Sequence, residues 1–156
     1  MARDFRSSVL ELWTYLGLDP PRFGPREDMS FYEEGARLRL VEGGDGRRMR
    51  VIGVAGTLSQ DAARRARQVR AILQDNLASL YGRRGCVCLA KELGAPDLVQ
   101  AEGTHPYEAP PAALSALIQD ILFLQERVGA HLQNDFLLKP QRSLQPDERH
   151  DVIFQP

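Results

Sequence analysis

The sequence predicts an α+β domain in which helices lie to one side of a twisted antiparallel sheet, in the order helix, three strands, helix, two strands, helix. Three observations predict it. Apolar residues recur at helical spacing in three separate stretches, they alternate at period two between those stretches, and glycine- and proline-rich breaks punctuate the boundaries. At 156 residues, with 43% hydrophobic and 26% charged content, the chain fits one soluble globular domain able to bury a core.

The first helix rests on Phe5, Val9, Leu12, Trp13 and Leu16, which share one face while Arg6 and Glu11 take the other; Gly17 is its stop. Asp19-Pro20-Pro21 and Gly24-Pro25 cannot continue a helix, so this stretch is a loop leading to Met29. A meander follows. Phe31 anchors a short strand, Leu38 and Leu40 alternate with Arg37 and Arg39, Gly43-Gly44-Asp45-Gly46 makes the turn, and Met49 and Val51 alternate with Arg48 and Arg50. The apolar run from Ile52 to Ala55 predicts cover on both faces at that end of the third strand. Ser59 is the expected N-cap of a long helix through Ala62, Ala63, Ala66, Val69, Ile72, Leu73, Leu77, Leu80 and Tyr81, ended by Gly82. Cys86 to Ala90 is the next strand, and Gly94-Ala95-Pro96-Asp97 turns it into Leu98 to Ala101. Pro110-Pro111 opens a last helix with a wide stripe of Leu114, Leu117, Ile118, Ile121, Leu122, Leu124, Val128 and Leu132. Residues 1–138 read as one domain, and Lys139 onward, with Pro140, Pro146 and Pro156 among polar residues, as a flexible tail.

Net charge is −1, yet it is unevenly spread: residues 37–84 hold 11 Arg and a net of +7, while residues 92–156 come to −6. Such asymmetry serves a nucleic-acid face, or lets basic and acidic surfaces meet within one fold or across a dimer. No apolar run reaches the roughly 20 residues of a membrane span, and Arg3, Asp4 and Arg6 precede no uninterrupted apolar segment, so a cytoplasmic protein is expected.

Motifs for chemistry are missing from the sequence. There is no G-x-S-x-G, no H-E-x-x-H and no Walker phosphate loop, and His105, His131 and His150 read as loop, helix and tail residues. Cys86 and Cys88 stand two apart in a strand, which suits a shared packing face in a reducing compartment better than a metal or a disulfide. Adjacent acids such as Glu33-Glu34 and Asp147-Glu148 are solvated surface. No enzyme activity, metal or cofactor is expected.

Ile72-Leu73-Gln74-Asp75-Asn76-Leu77 followed by Gly85-Cys86-Val87-Cys88-Leu89 resembles the Leu-Leu-x-x-Asn helix end, leading through a glycine into an apolar strand, of type III secretion chaperones of the CesT/Tir chaperone family. Phe31 before an acidic pair and Gly35, then alternating Leu38 and Leu40, resembles that family's strand opening. The resemblance runs from about Phe5 to Leu132 and implies the α-β-β-β-α-β-β-α chaperone fold and a homodimer. It also implies ATP-independent binding of N-terminal effector segments in extended form for delivery to the export apparatus, possible contact with the export ATPase included. Length, a Pro-rich tail and near-neutral charge look most like the broad-specificity export-control chaperones of plant-pathogenic bacteria. Two departures, the +7 block and Glu34 where the family usually has aspartate, bear on the type of client.

Val9, Leu12, Trp13, Leu16, Phe31, Leu38, Leu40, Met49 and Val51 are the candidate client-binding surface. The same residues are what a single domain would bury as its core, and exposure decides between the two. The resemblance carries Ile72, Leu73, Asn76, Leu80, Val87 and Leu89 over as dimer-interface candidates. The competing reading is a nucleic-acid module that contacts phosphates through Arg37, Arg39, Arg48, Arg50, Arg64, Arg65 and Arg67, although only 7% of the chain is aromatic and no strand carries the stacking pairs that bases need.

Overall fold

The computed structural model describes residues 3–23, 28–33, 35–90 and 96–133. The expected tail from Lys139 onward lies outside the described residues, as do Glu34, Gly94, Ala95 and His150. Among the described residues the order is α1 (Phe5–Tyr15), β1 (Asp28–Glu33), β2 (Ala36–Glu42), β3 (Arg48–Thr57), α2 (Ala62–Ser79), β4 (Gly85–Leu89), β5 (Leu98–Pro106) and α3 (Pro111–Gln133). The strands form one antiparallel sheet in the order β1-β2-β3-β5-β4, so the architecture is the α+β one that the periodicity predicts.

Local chemistry sets the boundaries. Asp4 caps α1 by accepting from Ser7 N at 2.8 Å while Ser7 Oγ accepts in return from Asp4 N, and Gly17 leaves the helix at φ 68°. The β2–β3 turn closes through Gly43 N donating to Arg48 O at 2.7 Å, with Gly46 at φ 61° where a side chain would be strained. The cap of α2 is Asp61, which accepts from Arg64 N, and not Ser59; Ser59 Oγ instead accepts from Asp61 N, one turn-forming step earlier. His105 also differs from its loop reading: β5 continues to Pro106, and His105 sits buried in it opposite Met49.

One face of the sheet carries the core. Leu38, Leu40, Met49, Val51, Val99 and Ala101 pack with Leu114, Leu117, Ile121, Leu124 and Val128 of α3 and with Phe5, Val9 and Leu12 of α1. Close approach of α3 needs glycine at Gly85 and Gly103, where a Cβ would stand 2.6 Å from Ile121 Cδ1 and from Leu117 Cδ1 respectively. Helix α2 stands beside this layer, against α3 and β4. The Ile52 to Ala55 run is covered on both faces only at its start, because Ile52 and Gly53 are buried while Val54 is 43% exposed.

Candidate functional site

Seven of the nine candidate client-binding residues are core. Val9, Leu12, Leu38, Leu40, Met49 and Val51 have no exposed surface and Trp13 is buried with them, so their side chains cannot line an open groove. The physical reason is that the helical stripe of α1 and the inward positions of β2 and β3 face each other and α3, which satisfies their burial within one chain. Leu16 remains accessible at the end of α1, and Phe31 is half-buried with its ring edge-on to Trp13, centroids 5.5 Å apart. The exposed large apolar residues of α1, the turn after it and β1 are Leu10, Tyr15, Leu16, Leu18 and Tyr32. A sequence signal for two of them existed: Leu10 and Tyr15 are apolar residues off the core-facing stripe.

The dimer candidates divide similarly. Ile72 and Val87 are buried in the core, while Leu73, Leu80 and Leu89 are exposed. Asn76 has an intrachain role: its Oδ1 accepts from Val87 N and its Nδ2 donates to Val87 O, each at 2.8 Å. Because β4 is an edge of the sheet, this side chain occupies main-chain groups that another strand would otherwise pair with. The outward face of α2 carries Val69, Leu73, Leu77 and Leu80 at i, i+4, i+8 and i+11, with Tyr81 just beyond, all exposed. A shallow cavity of about 640 Å³ runs along that face, floored by Ala62, Ala66, Val69, Leu73 and Leu77 and rimmed by Arg65 and Arg70. Val69, Leu77 and Tyr81 are the surface residues that the resemblance did not supply.

Buried polar groups fix α2 against α3, so that this apolar face is held outward. Asp75 is buried, and its two oxygens accept from Arg127 Nε and pair with His131 Nε2, both at 2.7 Å. Gln68, also buried, accepts from Ser59 N at 2.9 Å and donates to Leu132 O at 3.2 Å. Each group has its partner, as burial requires.

The arginine-rich block is largely engaged within the fold. Arg39 pairs with Asp28, Arg48 with Asp45, Arg50 with Glu102 and Arg65 with Asp97, and Arg64 and Arg67 have interactions of their own. Of the seven arginines in the nucleic-acid reading, four therefore already face a carboxylate. Much of the charge asymmetry along the chain is thus a basic surface meeting an acidic one inside a single domain.

Cys86 is exposed and Cys88 half-buried, so the shared packing face expected for them is not formed within the chain. Burial, and then the charge of Glu102, push both thiols up, Cys88 to about 11, which keeps them protonated. Among the described residues no three His, Cys, Asp or Glu side chains cluster so as to hold a metal ion, and no helix is long and apolar enough to cross a membrane.

No protein-family model matches the chain, and no curated protein matches it. Solved structures do. The fold is shared with the Yersinia pestis type III secretion chaperone SycH in complex with a stable fragment of YscM2, at 16% identity and a TM-score of 0.59, covering 78% of this chain and 96% of that one. It is shared with the HopA1-SchA chaperone-effector complex at 17% identity and a TM-score of 0.58, covering 78% and 90%. The heterodimeric ExoU-SpcU complex from the type III secretion system of Pseudomonas aeruginosa gives 12% identity and a TM-score of 0.61, covering 80% and 98%. At these identities the likeness is one of fold: the chain has the type III secretion chaperone fold.

Proposed function

We propose that this chain is an ATP-independent type III secretion chaperone of the CesT/Tir kind, close in character to the broad-specificity export-control chaperones of plant-pathogenic bacteria. It binds N-terminal segments of several effector proteins in extended form, keeps them competent for secretion, and hands them to the export apparatus, the export ATPase being the natural recipient. It acts in the cytoplasm as a homodimer joined through the outward face of α2. It is not an enzyme and takes no cofactor, because holding a segment needs binding energy alone.

The observation that carries this reading is the fold, shared over 90% or more of chains from several complexes, among them the type III secretion chaperone SycH and the HopA1-SchA chaperone-effector complex. Two surface features support it physically. The leucines of α2 form a patch that a lone domain has no reason to expose, and a two-fold contact would bury it against itself. Leu10, Tyr15, Leu16 and Leu18 leave further apolar side chains exposed on α1 and its turn, to which a client segment can dock, and Tyr32 is exposed on β1.

A nuclease-treated pull-down from source-cell lysate with the tagged full chain tests the reading. Several secreted proteins should be recovered, each lost when its N-terminal segment is deleted. Protected nucleic acid without secreted clients would overturn the reading and leave the remaining arginine surface as the functional site.

A further inference from the structure

β2 pairs with β3 from Glu42–Met49 to Leu38–Gly53 and no further, although β3 runs on to Thr57. Beyond Gly53, β3 stays with β5 through a bulge between Val54 and Gly56, so among the described residues 54–57 have a strand partner on one side only. Beside that open edge a cleft of about 740 Å³ follows α3, lined by Ala36, Val54, Ala55, Glu126, Ala130 and Gln133 among others. An uncovered edge next to exposed apolar surface, here Val54, is a template for unwanted pairing that a stable fold has reason to close.

The chain itself supplies a cover of suitable place, length and charge. α3 and β3 advance together: Gln125 Nε2 donates to Val54 O at 2.8 Å, a Cβ on Gly129 would stand 3.4 Å from Ala55 O, and one on Gly56 would stand 2.9 Å from Leu132 Cδ1. Gln133, where α3 ends, therefore lines the cleft on its Thr57 side, and a chain turning back there would run antiparallel to β3, as all strand pairs of this sheet do. The sequence continues with Asn134-Asp135, residue types that favour turns, and then Phe136-Leu137-Leu138-Lys139, after which Pro140 cannot donate to a ladder. Two turn residues reach about 10 Å, enough to cross from α3 to the strand it touches, and the four that follow are as long as the open edge. Glu126, the one charged side chain in the lining among the described residues, follows Gln125 and so lies towards Val54, where Lys139 would arrive.

We propose that residues 136–139 of this chain strap the cleft shut, as a sixth strand antiparallel to β3 at residues 54–57. The strap is a property of the lone chain and stands apart from the chaperone reading. Burial of Phe136, Leu137 and Leu138 drives it, and a two-residue tether makes the contact intramolecular, so modest affinity suffices. With the strap closed, residues 140–156 leave the domain beside the start of β2 and not from the end of α3. Val152-Ile153-Phe154 is the weaker candidate for the same edge, because Asp151 in place of a lysine precedes it and 18 residues separate it from Gln133. A second copy is also disfavoured, since its β4 edge is already closed by Asn76 at Val87 and its β1 edge brings Asp28 and Glu33 towards Glu126.

The test is NMR on the isotope-labelled full chain. Cross-strand contacts between residues 54–57 and 136–139 should be present at every protein concentration, with amides on the open edge of β3 protected from exchange. Leu137→Pro removes a donor from the added strand and should speed exchange at 54–57 about tenfold, as loss of one or two backbone hydrogen bonds implies, while Val51 and Val99 in the core exchange as before. Lys139→Glu should speed it about threefold, the scale of an exposed ion pair, and combining it with Glu126→Lys should restore the parent rate, which loss of apolar burial alone would not do. Rapid exchange at 54–57 in the parent chain would overturn the proposal. So would protection that rises with concentration, which assigns the edge to a second copy, and protection that survives Leu137→Pro, which assigns it to residues 152–154 if Ile153→Pro removes it. None of these readouts involves a secreted protein, so failure of the strap and failure of the chaperone reading are distinguishable.

Discussion

Leu73→Asp is the sharpest probe of the proposed homodimer. Leu73 is 61% exposed on the outward face of α2 and takes no part in the core, so the protomer should fold as before. Full burial of a leucine is worth about 1.5–3 kcal/mol, and the exposed share here leaves about 1–2 kcal/mol to be gained on association. A two-fold interface counts the residue twice, giving about 2–4 kcal/mol, or about 30- to 1,000-fold in the dimer dissociation constant. The desolvation of two unpaired aspartates adds to this and makes the lower figure a floor. Sedimentation equilibrium over a range of protein concentrations reads the constant directly, and circular dichroism confirms that the protomer is intact. The reasoning is refuted if the variant dimerises as tightly as the parent, which would remove the α2 face from the interface. A parent that stays monomeric at millimolar concentration would refute the dimer itself.

Other residues give independent checks. Asn76→Ala leaves Val87 N–H and C=O without their partner; a loss of about 2–4 kcal/mol is expected in urea unfolding, with faster amide exchange in β4, and a change below about 0.5 kcal/mol would show that the clamp is dispensable. Burial, then the charge of Arg84, holds the His105 imidazole below its ordinary range, outweighing its bond to Ala109. The unfolded chain therefore binds this proton more readily, so stability should fall as pH drops through about 6.5 towards the folded value. His105→Leu should flatten that slope below about pH 6.5, and an unchanged slope would acquit His105. Asp4, held below the usual carboxylate range by the Ser7 N–H and hydroxyl, stabilises α1 above the unfolded value and loses that effect as pH falls through the folded one. Asp4→Ala should therefore cost about 1 kcal/mol at neutral pH and progressively less as pH falls through the folded value, and a cost that does not change with pH would point to packing instead.

The element order was legible because it rests on periodicity and punctuation, which are local. The stripe of α3 and the alternation through Leu38, Leu40, Met49 and Val51 each have one reading, and β-turn glycines mark where they end. What was not legible was which apolar face looks outward. In α2, Ile72 lies on the face turned to the core and Leu73 on the face turned to solvent, yet both belong to an apolar-rich helix, and only the packing of α3 distinguishes them. The same ambiguity covers the client-binding candidates: Val9, Leu12 and Leu38 are apolar because α1, α3 and the sheet need them, which spacing alone cannot tell from a binding surface. The bulge between Val54 and Gly56 did have a signal in the sequence, a glycine inside a strand, and Gly56 takes φ 147° there.

Helix α2 serves two purposes on opposite faces, and the division governs how the protein would fail. Its inner side closes the β4 edge through Asn76 and locks to α3 through Asp75 and Gln68, while its outer side shows Val69, Leu73, Leu77 and Leu80 to solvent. In the proposed homodimer, loss of the partner protomer would therefore uncover leucines but not an unpaired edge at Val87. Association through leucines is side-chain driven and reversible, whereas an open edge templates strand pairing. A monomerised form that keeps Asn76 should self-associate weakly and without gain of β-structure. The same form carrying Asn76→Ala should build sheet-rich aggregates that bind thioflavin. Were both to aggregate with the same spectroscopic signature, the edge clamp would not be what separates the two routes.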